Sequence, residues 1–398
     1  MNKLLTRTMI AATMATACGL AQADVKVAFL GGFTGPLESL TPPIYSGAKL
    51  AVDQVNSQGG IHGNQKIILL KGDSTCADAT AASNVADRMV NSENVSAIVG
   101  PMCSGATIAA ANNAAIPGGV TLISPSATSP ALTNLKDNDL VFRTAPSDAF
   151  QGEMLAKLLM SKGIDEVAIS YVNNDYGKGF AEALAASFEK VGGTVAANEA
   201  HEDGKADYRA EIGSLASTGA ETLVVLAYVD GSGQTIIRQA MESGDFAKFV
   251  GGDGMVGDKL ISALGGDVDM IATKPGSPQL AGKEPFVKAA TAAGMDPDAV
   301  FSAQAYDAAF IISLAIEKAG SGDRAAVAGA IRDVATAPGE VILPGEWAKA
   351  VSAIKAGRDI NYQGASGNHE FDAVGDVPGV IVEMAVQGGK FVELGEIK

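Results

Sequence analysis

The chain has 398 residues, of which 47% are hydrophobic, and its 29 basic and 45 acidic residues give a formal net charge of −16. This length exceeds what one compact core usually holds and suits two domains. The acidic excess argues against nucleic acid and anionic lipid as partners, because both are themselves polyanions.

The N-terminus has the pattern of an export signal. Lys3 and Arg7 precede the apolar run Met9–Leu20, and Ala21-Gln22-Ala23 matches an A-x-A cleavage site. The apolar run is too short to span a bilayer, and no later stretch approaches the required length. We therefore predict that residues 1–23 are a signal peptide and that the protein is exported.

The expected mature chain starts at Asp24. Residues 1–23 hold two basic and no acidic residues, so 27 basic residues then face 45 acidic ones, a net charge of −18. A lipoprotein signal at Cys18 is an alternative, but Ala15 stands where such a signal usually has Leu.

The mature chain keeps two cysteines, Cys76 and Cys103. Each follows a predicted strand, Ile67–Lys71 and Ser96–Val99 respectively, so neighbouring strands could bring them together. In an oxidising compartment an even pair predicts a disulfide. Two free thiols are the alternative.

The first half of the chain alternates short apolar runs with helical periodicity, which predicts parallel strands connected by helices. In order, the predicted elements are strand Val25–Leu30, helix Tyr45–Ser57, strand Ile67–Lys71, helix Asp78–Asn91, strand Ser96–Val99, a helix from Ser104, strand Val120–Ile123 and strand Leu140–Arg143.

A second alternating series follows. Its predicted elements are helix Ser147–Lys162, strand Val167–Val172, helix Tyr176–Val191, strand Thr194–Ala197, helix Asp207–Leu215, strand Thr222–Leu226, helix Gly233–Glu242, strand Ala247–Val250, a short helix near Asp258–Ala263 and strand Val268–Ile271. Two such series in succession predict an α/β fold with two doubly wound parallel-sheet lobes.

Two clusters of helix-breaking residues, near 144–146 and at 273–278, are interpreted as hinge strands between the lobes. Ala-rich helices are predicted at Lys283–Ala293, Phe301–Ala319 and Arg324–Val334. The last sixty residues indicate short strands and turns. We find no tandem repeat.

Two turns that follow strands of the first series stand out by composition. GPMCSG around Ser104 and SPSATSP from Ser124 are rich in small and hydroxyl residues and contain no charged residue. Hydroxyls and free N–H groups at the start of a helix favour an anion. The pair therefore predicts a small carboxylate held without a full positive charge, although ordinary βα turns have similar compositions.

Enzyme signatures are missing from the sequence. It has three histidines, all interpreted as solvated loop residues, and no G-x-S-x-G elbow, P-loop or H-E-x-x-H motif. Gly252–Gly257 matches G-x-G-x-x-G, but Asp253 within it would repel a pyrophosphate. We reject a nucleotide site there and expect no cofactor and no metal.

Ligands of open α/β sheets bind beyond the carboxyl ends of the strands. The candidates at those ends are Leu40, Ser104, Ser126, Ala127 and Thr128 in the first lobe, and Tyr176, Tyr228 and Asp253 in the second. Hydroxyls and N–H groups suit a carboxylate, while Asp253 suits an ammonium. This division predicts a zwitterionic α-amino acid, with plain packing of the tyrosines and a solvated Asp253 as alternatives.

The chain resembles the branched-chain (hydrophobic) amino-acid-binding proteins of ABC transporters, which are type I periplasmic binding proteins. The resemblance extends over nearly all of the mature chain and depends on the order and spacing of its motifs. These motifs are GGFTGP, GAKLAVDQVNSQGGIHG, CADATAASNVADRMV, IVGPMCSG, LISPSATSPALT, VFRTAPSDAFQG, DYGKGF and RQAMESG.

The resemblance implies a role for each candidate. Ser104 and the turn Ser126-Ala127-Thr128 would bind the carboxylate and ammonium, Asp253 the ammonium, and Tyr176 and Tyr228 would line the cleft. Cys76 and Cys103 match the family disulfide. Two positions depart from the family pattern: Leu40 stands where the family often has an aromatic residue, and Asp253 stands where it has Glu.

The resemblance also implies lobe boundaries and partners. Residues 24–144 with about 275–378 would form lobe one, and 145–274 with about 379–398 lobe two. The expected protein is a monomeric periplasmic component of an ABC importer that delivers a hydrophobic or branched-chain amino acid to a permease and is not an enzyme. The alternatives are a different carboxylate, amide or urea as ligand, or a ligand sensor with the same body.

Overall fold

The structure, a computed structural model, describes residues 23–266 and 268–398. The predicted signal peptide therefore lies outside the described residues except for Ala23. Two large sheets organise this part of the chain, each the core of one lobe, and a third sheet has only two strands. None of the helices in the described residues is long and apolar enough to cross a membrane.

The first lobe is built on a wholly parallel five-stranded sheet of order β2-β1-β3-β4-β5. Its strands are β1 (Val25–Gly31), β2 (Ile67–Asp73), β3 (Ala97–Val99), β4 (Thr121–Ser124) and β5 (Val141–Arg143). Its first helices are α1 (Thr41–Ser57), α2 (Ala79–Asp87) and α3 (Ser104–Ala110). Strands β3 and β4 are buried along their whole length, as the short apolar runs predicted.

The second lobe has a seven-stranded sheet of order β14-β13-β10-β9-β8-β6-β7, in which β13 and β14 run antiparallel to their neighbours. Its strands are β6 (Glu166–Val172), β7 (Thr194–His201), β8 (Thr222–Leu226), β9 (Lys248–Gly251), β10 (Met270–Pro275), β13 (Ile381–Gln387) and β14 (Lys390–Glu396). Its helices are α4 (Asp148–Ser161), α5 (Asp175–Lys190), α6 (Arg209–Ala216), α7 (Ser232–Ser243) and α8 (Asp258–Ala263).

Between β10 and β13 the chain returns to the first lobe. This segment contains α9 (Lys283–Ala292), α10 (Ser302–Ala319), α11 (Arg324–Ala335), β11 (Glu340–Ile342), α12 (Trp347–Lys355) and β12 (Ile360–Tyr362). Helix α10 is buried along most of its length and packs against α1. The chain thus passes between the two sheets after β5, after β10 and before β13, which confirms the predicted two-lobed α/β fold.

Several predicted elements differ from the observed ones in detail. Helix α1 begins at Thr41 rather than Tyr45, because Pro42 and Pro43 fit the first turn, where a missing N–H costs nothing. Strand β10 runs to Pro275 instead of ending at Ile271, because it pairs along that stretch with β13. The sequence analysis missed α12, whose Trp347 is buried and donates its indole N–H to the Gly60 carbonyl at 3.0 Å.

The interpretation of the histidines as solvated was wrong for His201 and His369, which are each 2% exposed. The His201 ring lies between the hydroxyls of Ser170 (2.8 Å) and Ser232 (2.9 Å), and burial lowers its pKa to about 4. His369 contacts the buried Asp307 carboxylate at 2.9 Å. Neighbours distant in sequence provide these contacts, so the polar local sequence gave no indication of burial.

Candidate functional site

A cavity lies between the two lobes. The first lobe lines it with Leu37, Leu40, Ile44, Met102, Cys103, Ser104, Ser126 and Phe301, and the second with Tyr176, Tyr228, Asp253 and Gly254. Most of the predicted ligand residues therefore face one shared space. Ala127 and Thr128 belong to the same turn as Ser126 and are buried, but they are not part of this lining.

Ser104 is the first residue of α3, directly after β3 and its turn. Its hydroxyl oxygen is buried and accepts a hydrogen bond from the Ser129 N–H at 3.2 Å, which leaves the hydroxyl proton free to donate. The preceding Cys103 is joined to Cys76 by a disulfide with a Cα–Cα distance of 5.4 Å, as predicted. The disulfide anchors the start of α3 to the loop after β2.

The two hydroxyl-rich turns of the first lobe are tied together by hydrogen bonds. Ser126 Oγ donates to the Met102 carbonyl at 2.9 Å, and Ser124 Oγ donates to the Pro101 carbonyl at 2.6 Å. The Thr128 hydroxyl is buried and has no hydrogen-bond partner among the residues that the structure describes. An unpartnered buried hydroxyl is costly unless a bound group completes it.

A buried guanidinium shapes the second of these turns. Arg143, which is 2% exposed, donates to the carbonyls of Thr128 (2.9 Å) and Ser129 (3.0 Å) and pairs at two points with Asp376 (2.6 and 2.7 Å). Its charge is thus occupied by Asp376 and by carbonyls. The sequence analysis did not identify Arg143, because Asp376 lies 233 residues away.

On the second lobe, Asp253 sits in a short helical turn directly after β9 and is 3% exposed. Its Oδ1 accepts hydrogen bonds from Gln151 Nε2 at 3.1 Å and from the Tyr176 hydroxyl at 3.2 Å. No basic side chain of the described residues pairs with it. Burial raises the pKa of Asp253 to about 7.

The two predicted tyrosines form one wall. Tyr176 and Tyr228 stack with ring centroids 5.2 Å apart and an interplanar angle of 15°. The Tyr176 hydroxyl also accepts the Gly254 N–H at 3.2 Å. Burial raises the pKa of both tyrosines, so both are neutral phenols at physiological pH.

A second buried acid, missed by the sequence analysis, lies next to Asp253. Asp148 is the first residue of α4, is 0% exposed, and its N–H donates to the Thr128 carbonyl at 2.7 Å. Neither of its carboxylate oxygens has a hydrogen-bond partner within the described residues. Burial raises its pKa well above the usual range, and the nearby Asp253 carboxylate raises it further, whereas the Thr128 hydroxyl close to the carboxyl and the Arg143 charge oppose this shift.

Chemically, this arrangement is suited to binding. Two buried carboxyls near each other attract a cation, since its charge would stabilise both in the ionised form. The described residues contain no group of three or more His, Cys, Asp or Glu side chains arranged for a metal. Hydroxyl donors and an apolar wall complete the cavity, which is the composition of a small-molecule site.

Comparison with known proteins identifies the family of the chain. Residues 24–361 match a family model described as periplasmic binding protein. The chain is 33% identical over 320 residues to a leucine-, isoleucine-, valine-, threonine- and alanine-binding protein of Pseudomonas aeruginosa, covering 79% of this chain and 83% of that protein.

Solved structures show the same fold. The leucine-binding protein LivK of Thermotoga maritima has a TM-score of 0.79 at 25% identity, covering 94% of this chain and 99% of that one. The branched-chain amino acid substrate-binding protein LivJ of Streptococcus pneumoniae, solved with isoleucine, has a TM-score of 0.75 at 26% identity, covering 93% and 99% respectively.

Proposed function

The chain belongs to the periplasmic binding protein family, and on that basis we propose that it is the solute-binding component of an ABC importer, capturing a hydrophobic or branched-chain amino acid between its lobes. The names of its relatives support this ligand class, since they bind leucine, isoleucine and valine. The proposal extends to delivery of the ligand to a membrane permease.

One observation carries the proposal: the cavity joins an uncharged, donor-rich face to a face with the buried acid Asp253, and a second buried acid, Asp148, lies near Asp253 behind that face. Among the described residues, neither Asp253 nor Asp148 forms an ion pair with a basic side chain. Arg143 is near enough to lower the pKa of Asp148, but its own ion pair is with Asp376. A ligand with one anionic and one cationic end completes both faces. An α-amino acid is the smallest common metabolite with that charge pattern.

The roles follow from these positions. The ligand carboxylate accepts hydrogen bonds from the hydroxyl of Ser104 and the groups of the Ser126-Ala127-Thr128 turn. The ligand ammonium lies at Asp253, and the buried Asp148 carboxyl near Asp253 adds to the preference for a cation there. Such charge-assisted hydrogen bonds are stronger than neutral ones.

The ligand side chain meets an apolar surface. Leu37, Leu40, Ile44 and Phe301 of the first lobe line the cavity, and none of them carries a polar side-chain atom. This apolar lining suits an aliphatic side chain of the ligand. Transfer of that side chain from water adds about 0.8 kcal/mol for each buried CH₂.

Closure of the lobes follows from ligand contacts on both sides. A ligand that touches both lobes makes more contacts in the closed state than in the open one, so it shifts the equilibrium towards closure. The proposal also includes lobe boundaries near residues 144, 275 and 378 and export directed by residues 1–23. It further includes a monomeric state in the periplasm and no enzymatic activity.

Titration calorimetry with protein stripped of ligand tests the function. We expect at least one of leucine, isoleucine and valine to bind with micromolar affinity or better, roughly −8 kcal/mol or beyond. If none of the common amino acids produces a heat of binding, the proposal is contradicted. Equal affinity for the matching carboxylic acid without the amine would instead favour a simple carboxylate ligand.

Native mass spectrometry of the protein as purified gives an independent check. The added mass of a retained ligand identifies it without any choice of candidates. We expect the mass of an aliphatic amino acid, and release of that mass after denaturation and refolding.

A further inference from the structure

A short segment of the first lobe is bound directly by the second lobe. Residues 36–40 lie between β1 and α1, and Asp230 follows β8 in the other lobe. The Asp230 N–H donates to the Pro36 carbonyl at 3.0 Å, and Asp230 Oδ2 accepts the Ser39 N–H at 2.8 Å. Backbone and side chain of one residue thus hold both ends of this segment.

The carboxylate of Asp230 is largely buried. Its side chain is 6% exposed, and Lys259 Nζ lies 2.8 Å from its Oδ1. The same ammonium is 3.8 Å from Glu38 of the first lobe. Lys259 therefore neutralises Asp230 and also attracts the opposite lobe.

The fit at this contact leaves no room for a side chain on the neighbouring residue. A Cβ added to Gly231 would stand 2.9 Å from the Pro36 Cβ, so the two lobes approach to van der Waals distance here. A close approach with paired hydrogen bonds indicates a specific contact between the lobes.

The bound segment also forms part of the ligand cavity. Leu37 and Leu40 belong to residues 36–40 and line the space that Asp253 and the tyrosines face. Asp230 itself is not in that lining. It can influence a ligand only by fixing the segment and the closed position of the lobes.

We propose that Asp230 is a positioning residue for ligand binding, which holds residues 36–40 against the second lobe and so keeps the cavity shut over the ligand. This inference rests on the proposed function. Because Asp230 does not line the cavity, its contribution is to the population of the closed state. Apparent affinity scales with the fraction of protein in the binding-competent state.

Two consequences distinguish this role from direct ligand contact. Loss of Asp230 weakens the binding of every ligand by one common factor, whatever its side chain and whether or not it carries an amine. The change falls mainly on dissociation, because the cavity must open before the ligand leaves.

The experiment compares wild type, Asp230→Ala and Asp245→Ala by stopped-flow dissociation and calorimetry. The probes are whichever of leucine, isoleucine and valine bind wild type, together with the matching acids lacking the amine. Asp245 is an exposed acid of the same lobe whose carboxylate makes no hydrogen bond or ion pair within the described residues, so its substitution controls for charge. For Asp230→Ala we expect dissociation about tenfold faster, from the loss of hydrogen bonds to a carboxylate.

Asp230→Asn is the second variant, in case the alanine variant does not fold. It keeps the shape of the side chain and an acceptor for Ser39 but loses the charge, and we expect about threefold faster dissociation. Rates within the range of the Asp245→Ala control would overturn the inference. The inference would also be overturned if Asp230→Ala changed the affinity by different factors for ligands with and without the amine, because Asp230 would then act on the ligand. Absence of binding by wild type would refute the proposed function instead.

Discussion

The two faces of the cavity differ in how completely their polar groups are satisfied. On the first lobe, the hydroxyls of Ser104, Ser124 and Ser126 have partners in neighbouring turns. On the second, Asp148 has no hydrogen-bond partner for its carboxylate among the described residues, and Asp253 has only neutral ones. The serine hydroxyls of the first lobe are thus satisfied, with the buried Thr128 hydroxyl as an exception, whereas the second lobe buries acids that lack a cationic partner.

This difference shows where binding energy and selectivity arise. The serine hydroxyls of the first lobe lose little when a ligand carboxylate is absent, because they already bond to backbone carbonyls and N–H groups. Buried acids are costly without a cation, so a ligand ammonium relieves a penalty already present in the free closed protein. We therefore expect the second lobe to decide between amines and non-amines, and the first lobe to position the ligand.

Asp253→Asn removes the carboxylate that the second lobe presents to the cavity and should have the largest effect on binding. We expect the affinity for the amino acid to fall by about 2–5 kcal/mol, the usual loss for a buried charge pair. Binding of the matching acid without the amine should change little. Calorimetry measures both, with Asp245→Asn as the charge control. Equal losses for the two ligands would remove Asp253 from the ammonium role.

Removal of the disulfide tests the rigidity of the first-lobe face. Cys76 and Cys103 are 27 residues apart, and closing such a loop in the unfolded chain stabilises the fold by about 3 kcal/mol. The double variant Cys76→Ser/Cys103→Ser should lose about that much in urea unfolding of the ligand-free protein. Its binding should weaken for amines and non-amines alike. An unchanged unfolding midpoint would contradict this expectation.

The raised pKa of Asp253 makes binding dependent on pH. The ligand ammonium binds the ionised carboxylate, whose pKa is about 7 in the free closed form and falls once the ammonium is bound. Affinity is therefore full above pH 7 and declines as the pH falls below it, by at most about tenfold for each pH unit.

Proton release provides the measurement. At pH 6 binding should release about one proton for each ligand, which calorimetry in buffers of different ionisation enthalpy detects. The release should disappear in Asp253→Asn. A wild-type affinity that is flat between pH 5 and pH 8 would show that Asp253 is already ionised without ligand.

Ser104→Ala should have the smallest effect, because it removes one neutral donor from a face that offers several. We expect about 1 kcal/mol, or about fivefold weaker binding, for amino acids and for matching acids equally. Ser46→Ala, on the exposed side of α1, is the matched control. A loss of affinity confined to ligands with an amine would show that Ser104 contacts the ammonium and not the carboxylate.

Much of the fold was accessible from local patterns. Short apolar runs and helical periodicity predicted the alternation of both lobes, and most strands and helices agree within a few residues. The exceptions, β10 and α12, depend on distant partners: β13 extends β10, and the Gly60 carbonyl receives the Trp347 indole.

For the site, the first-lobe prediction placed Leu40, Ser104 and Ser126 correctly at the cavity, but Ala127 and Thr128 lie outside its lining. It also missed most of the apolar first-lobe lining. Strand ends correctly placed Tyr176, Tyr228 and Asp253 at the cavity. What the sequence could not indicate was burial of charge. Asp148 follows a turn and resembles any helix-capping acid, and His201 lies in a polar run. Arg143 and Asp230 acquire their roles from Asp376 and from residues 36–40 respectively.

The sequence by itself thus determined the order of elements, the two-lobed class and the chemical character of each half of the cavity, because these depend on neighbouring residues. The tertiary structure alone decided which acids lose their water and which segments of one lobe are held by the other. Desolvation and contact between lobes join residues up to hundreds of positions apart, and no local pattern records them.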